Sequence, residues 1–272
     1  MSEPVFRTDL YRGTAEHYER YRVPYPAELI DDLAQAVHAD GTGRLLDLAC
    51  GTGQIAFALH GRFAETWAVD QEPDMVAAVR DKAAAAAISD IRPLVSGAEE
   101  LDAPSGGFAL VAVGNAFHRL QRPAVASNMA RWLRPGGFAA LLWGDGPWSG
   151  EEPWQRAVAA TVARWRTRLG EDDRTPVGYP QARENTPDRV VLENAGLEVI
   201  GTRTYSARHD WTPESLAGNV YSTSVLPRRL FGDLAAEFER ELDRDLRACQ
   251  PAGPFTQTIS FAYELARRPP DA

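Results

Sequence analysis

The chain has 272 residues, 44% hydrophobic and 25% charged, enough for one large α/β domain or two small ones, a balance that excludes wholesale disorder. No apolar run approaches the roughly 20 residues needed to cross a bilayer, and the mixed, charged residues 1–10 exclude a secretory signal peptide, so a cytoplasmic location is expected. Twenty-nine basic residues against 38 acidic ones give a net charge of −9, and the arginines are scattered among acids, which argues against nucleic acid as a partner.

Two cysteines, Cys50 and Cys249, are too few and too distant for a disulfide framework. The histidines fall in no pair with metal-ligand spacing, so no metal is expected. A small-molecule substrate, no membrane, and a monomer or homodimer with room for a pathway protein partner complete the expected associations.

Residues 1–40 read as a helical cover. A helix begun near Thr14 ends at Pro24 and Pro26. A second, over 26–39, places Leu29, Ile30, Leu33 and Val37 on one face. From Arg44 onward, apolar runs at 45–49, 67–69, 93–95, 108–113 and 138–143 alternate with helical stretches. That rhythm predicts a doubly wound, mostly parallel sheet with helices on both faces. A polar stretch at 145–186 interrupts it and reads as an inserted helical cap, with Trp143, Trp148, Trp154 and Trp165 offering flat apolar area to an acceptor. Trp154 and Trp165 equally suit the core face of a helix. The strand pattern resumes at 197–205 and closes at 255–265, after a charged helix over 228–247. The α/β core thus comprises 41–144 and 187–272.

Chemistry begins where the first apolar strand runs into Asp47-Leu48-Ala49-Cys50-Gly51-Thr52-Gly53. Small residues at 49, 51 and 53 let a ligand approach the backbone, and the helix starting near Ile55 adds unpaired N–H groups. A dinucleotide fingerprint would need glycine at 49 and 54, where Ala and Gln stand, and no Gly-Lys-Ser/Thr follows for a phosphate loop. A ligand without phosphate fits better. Asp70 ends the second strand 19 residues after Gly51, the place from which a carboxylate takes ribose hydroxyls.

The glycine turn, Asp70, and Leu133-Arg134-Pro135-Gly136-Gly137 before the fifth strand together resemble the class I S-adenosylmethionine-dependent methyltransferases, over about residues 45–143. The run Tyr18-Glu19-Arg20-Tyr21-Arg22-Val23-Pro24-Tyr25-Pro26 is similar to the N-terminal cover of their small-molecule branch. The resemblance implies a seven-stranded Rossmann-like sheet whose last strand, at 255–265, runs antiparallel beside the fifth.

It also implies roles. S-adenosyl-L-methionine would be the cofactor. Asp47 would meet the amino end of its methionine part, which lies against Ala49, Gly51 and Gly53; Arg22 or Tyr21 would cover it. Asp70 would hold the ribose, Gln71 and Met75 would flank the adenine, and Gly97-Ala98-Glu99 would meet its amino group. Asn115, Ala116 and His118 would lie beside the sulfonium, with His118 the candidate base for an oxygen or carbon acceptor. Trp211-Thr212-Pro213-Glu214-Ser215-Leu216 resembles the element that completes an acceptor pocket, with Tyr221, Ser222 and Ser224 as lining. Each residue also has a plain structural reading: Met75 as filler, Asp70 as a strand end, His118 as a hydrogen-bonded histidine. The implied activity is methyl transfer to a small molecule, in secondary metabolism. The same cofactor used for cyclisation or elimination, or a non-enzymatic partner module, are the alternatives.

Overall fold

A computed structural model describes residues 5–172, 174–176 and 179–270. The chain opens with two helices, α1 (Ala15–Tyr21) and α2 (Ala27–Ala36). It then alternates through β1 (Arg44–Leu48), α3 (Gln54–Ala58), β2 (Glu65–Asp70), α4 (Pro73–Ala85), β3 (Ile91–Val95), β4 (Phe108–Gly114), α5 (Arg122–Trp132) and β5 (Leu133–Gly144). Three helices follow, α6 (Pro153–Leu169), α7 (Tyr179–Asn185) and α8 (Asp188–Asn194). The last elements are β6 (Glu198–Trp211), α9 (Pro213–Tyr221), α10 (Ala235–Cys249) and β7 (Phe255–Arg267).

The strands form one seven-stranded sheet in the order β3-β2-β1-β4-β5-β7-β6. β1 to β5 pair in parallel, while β7 lies antiparallel to both β5 and β6. The seventh strand therefore takes the place and direction expected of it. Successive strand residues face opposite sides, which explains why β4 is apolar throughout. Its Leu110 and Ala112 pack with Leu29 and Leu33 of α2, and its Val111 and Val113 with Met129 and Trp132 of α5.

Three elements depart from their expected bounds. The Leu-x-Pro-Gly-Gly run lies inside β5: Phe108 pairs with Leu133 but Leu110 with Phe138, so the run forms a bulge. Gly137 must be glycine there, because a Cβ would stand 2.9–3.2 Å from three carbonyl oxygens. β6 continues six residues beyond Tyr205, since its alternating polar side chains suit a sheet edge paired on one side only. The charged helix begins at Ala235, not Arg228; two short 3-10 turns precede it, the second opening on Gly232 at φ 50°.

Residues 145–186 were expected to cap the acceptor pocket, and none of the described ones lines the main cavity. Trp154 and Trp165 are instead core residues of α6, which packs along α10. The Trp165 indole donates to Glu241 at 2.9 Å and lies against Phe231 and Phe238. Glu152 and Gln155 form a capping box at the start of α6, and Gly170 ends it in the left-handed region. Trp148 packs against the same core, and Trp143 is partly exposed.

Candidate functional site

The connection from β1 leads to β2 on one side, while β4 flanks β1 on the other, so the strand order reverses between β1 and β4. A doubly wound sheet splays its loops apart at such a point, beyond the carboxyl ends of the strands. A cavity of about 300 Å³ lies there, between the ends of β1 to β4 and residues 5–11 of the N-terminal segment.

The glycine turn shapes its floor. Ala49, Gly51 and Gly53 all have positive φ, at 54°, 56° and 81°. Ala49 and Gly51 line the cavity. A Cβ on Gly51 would stand 3.2 Å from the Tyr18 ring, another wall of the cavity. Gly51→Ala therefore combines left-handed strain with a push on Tyr18, and should lower stability by roughly 1–2 kcal/mol. Thermal unfolding of the purified variant checks it; an unchanged midpoint would mean the turn relaxes freely. Gly53 serves packing instead: its Cβ would meet Phe57 and Val79 at 3.1–3.2 Å, and it does not line the cavity.

Asp70 knits the turn to β2. Its Oδ2 accepts the Gly51 N–H at 2.8 Å and its Oδ1 the Glu72 N–H at 2.9 Å. Burial raises its pKa against these two bonds. Each oxygen keeps a second lone pair, and the carboxylate lines the cavity. Asp47 stands behind the turn, 1% exposed. Its Oδ2 accepts the Ala56 N–H at 2.9 Å, while its Oδ1 is buried with no partner. Burial, only partly opposed by that bond, pushes its pKa up to about 7.

Of the residues singled out from the sequence, Ala49, Gly51, Asp70, Gln71, Met75, Ala98, Glu99 and Asn115 meet in this one cavity. Asn115 holds φ 51°, with Oδ1 accepting the Gly144 N–H and Nδ2 donating to the Tyr25 hydroxyl, both at 3.2 Å. Ala116 also lines the wall. Gly97 sits beside Glu100 and outside the lining.

Tyr21 is not brought in. It packs over Gly218 of α9, and its hydroxyl donates to Glu214 at 3.0 Å. Tyr18, one turn earlier on α1 and so over the glycine turn rather than over α9, takes the place in the lining. Burial pushes its pKa up to about 12, so it is a neutral phenol. Arg22 lies behind it, with its guanidinium 4.7 Å from the Tyr18 ring and donating to the Ser222 carbonyl at 3.2 Å. Tyr221 and Trp211 belong to the core, and Ser222 and Ser224 are buried outside the cavity lining.

His118, expected beside the reacting atoms, lies in a 3-10 turn (Phe117–Arg119) and is not among the lining residues. Burial first, then the guanidiniums of Arg119, Arg183 and Arg122, push its pKa down to about 3. A nearby carboxylate would be needed to hold a proton there, and cations surround it instead. The ring rests 6.2 Å from that of Tyr179.

Among the lining features unread in the sequence are the strap at residues 5–11 and Arg119. Arg229 donates to the carbonyls of Asp9 and Arg12 at 2.9 and 3.1 Å, and Arg174 to that of Leu10 at 3.3 Å. These donors come from more than 160 positions away, which no local pattern reports. Among the described residues no group of His, Cys, Asp and Glu could hold a metal, and no helix is long and apolar enough to cross a membrane.

A seven-stranded doubly wound sheet, a left-handed small-residue turn after β1 and an acid ending β2 define a class I methyltransferase fold. Residues 45–137 match the family model described as "Methyltransferase domain". An uncharacterized methyltransferase of Mycobacterium tuberculosis is 36% identical over 126 residues, 46% of this chain and 48% of that one. The chain thus spans about half the length of the first such relatives. The nocamycin O-methyltransferase of Saccharothrix syringae is 29% identical over 251 residues, covering 83% of this chain and 85% of its own. The crystal structure of the YcgJ protein from Bacillus subtilis shares the fold, with TM-score 0.57 and 16% identity over 90% of this chain and all of that one. Residues 45–137 of the chain thus carry a methyltransferase domain.

Proposed function

We propose that this protein transfers the methyl group of S-adenosylmethionine to a small-molecule acceptor held between the glycine turn and the N-terminal strap. The observation that carries this is the convergence of Ala49, Gly51, Asp70, Gln71 and Met75 on one cavity at the point where strand order reverses. The buried, unpartnered Oδ1 of Asp47 suits a hydrogen-bonding group of the cofactor, reached directly or through water. The cavity wall holds Asp70, Glu72, Glu99 and Glu100, a negative setting that favours a cationic sulfonium.

The bound cofactor supplies an already activated methyl group. What remains for the chain is alignment and exclusion of water. Tyr18 and the strap close over the cavity and perform that exclusion, while Asp70 and Gln71 fix the position of the ligand. The likeness to nocamycin O-methyltransferase over most of both chains favours an oxygen atom as the acceptor. His118 enters as a neutral hydrogen-bonding group behind the wall, because a pKa of about 3 leaves it a poor base.

Calorimetry should find micromolar binding of S-adenosylhomocysteine and none of NAD. Labelled methyl from S-adenosylmethionine should pass to an acceptor in the same preparation. Binding of NAD without S-adenosylhomocysteine would overturn the cofactor assignment, and a product formed without label would replace methyl transfer with other chemistry.

A further inference from the structure

We propose that Arg119 selects the acceptor, and that the acceptor is a small carboxylic acid whose carboxylate pairs with this guanidinium while its apolar body packs beneath the strap. The proposal deepens the methyl-transfer function and rests on it. Six charged side chains line the cavity: Asp70, Glu72, Glu99, Glu100, Arg7 and Arg119. Arg7 bonds Asp9 at 3.0 Å and lies 4.0 Å from Glu171. The Arg119 side chain has no hydrogen bond or ion pair among the described residues, and its Nε is buried without a partner. A half-buried cation left in that state has lost hydration without replacement.

The rings of Phe6 and Tyr11 lie 5.4 and 5.7 Å from the Arg119 guanidinium carbon. Cation–π contact compensates part of the lost hydration but leaves the N–H donors unmade. It also fixes the guanidinium against the strap, to which Phe6 and Tyr11 belong. A planar fork of N–H donors matches a carboxylate in two parallel bonds. The four lining acids act against a dianion such as a phosphate monoester more strongly than against a monocarboxylate. Val5, Phe6, Leu10 and Leu120, also in the lining, provide the apolar surface for the rest of the molecule.

A second sign of positive potential comes from Tyr11. Burial alone raises the pKa of its phenol, yet Arg119, Arg22 and the Ser224 hydroxyl together bring it below its ordinary value. The same field favours a carboxylate placed nearby.

The test uses phenylacetate, cinnamate and octanoate, each beside its neutral amide, titrated by NMR into the full chain saturated with S-adenosylhomocysteine. At least one acid should bind tenfold or more tightly than its amide, and Arg119→Gln should remove that preference. Arg119→Lys should restore part of it, because the charge returns without the fork. The affinity for S-adenosylhomocysteine should stay within about threefold in both variants, well under the energy of one charged hydrogen bond. Equal binding of acids and amides, or a preference that survives in Arg119→Gln, overturns the proposal. A variant that loses S-adenosylhomocysteine while keeping the acid preference places Arg119 on the cofactor instead. Failure of the wild type to bind S-adenosylhomocysteine sinks the methyl-transfer function itself, a result separate from the others.

Discussion

Asp70→Ala should weaken S-adenosylhomocysteine binding at least about 100-fold and also lower the stability of the free protein by roughly 2–4 kcal/mol. Both effects have one origin. The carboxylate accepts the N–H groups of Gly51 and Glu72, at 2.8 and 2.9 Å, and so holds the glycine turn in its left-handed form. Its removal strands two partly buried donors beside a turn that already carries positive φ at Ala49, Gly51 and Gly53. Asp70→Asn should fall between, because an amide supplies one acceptor but turns an NH₂ toward the second donor. Calorimetry and denaturant unfolding measure the two losses independently. Lost affinity with stability unchanged would make Asp70 a ligand contact only; the reverse would make it a strand end only.

Asp47 should make the cofactor-free protein less stable as pH rises. Its folded pKa of about 7 stands above the ordinary carboxylate value of 3.8, so the folded state binds the extra proton. Between those limits the unfolded chain is the more ionised, and unfolding free energy falls with increasing pH. The loss is absent below pH 4 and complete above the folded pKa, with a ceiling of about 4 kcal/mol at 1.36 kcal/mol per pKa unit. Several carboxylates act with the opposite sign, among them Asp32 and Asp245, whose pKa values are lowered. The difference between wild type and Asp47→Asn isolates the effect, since Asn keeps an acceptor for the Ala56 N–H. Denaturant unfolding from pH 4.5 to 8 should show the wild type losing ground to the variant as pH rises. Parallel curves would mean that Asp47 ionises with little penalty.

The sheet was legible in the sequence because fully buried parallel strands must be apolar on both faces, and runs such as 108–113 have no other use. The floor of the site was legible for a related reason. Small residues, positive φ and a strand-ending acid are requirements of the backbone within a few positions, so Ala49, Gly51 and Asp70 carry their signal locally.

The walls were decided only by tertiary structure. Tyr18 rather than Tyr21 faces the cavity because α1 docks on α9, with the Tyr21 ring set over Gly218. The tryptophans of α6 are core because α10, more than 60 residues later, packs along them. His118 stays off the cavity lining, and burial first, then the guanidiniums of Arg119, Arg183 and Arg122, lowers its pKa; Arg183 stands on a helix remote in sequence. The position of the strap likewise depends on Arg174 and Arg229 reaching back to the carbonyls of residues 9–12. Sequence patterning determined where the backbone bends and which faces are buried. Long-range packing alone chose which side chains face the ligand, because a side chain's direction and charge environment depend on the elements it meets.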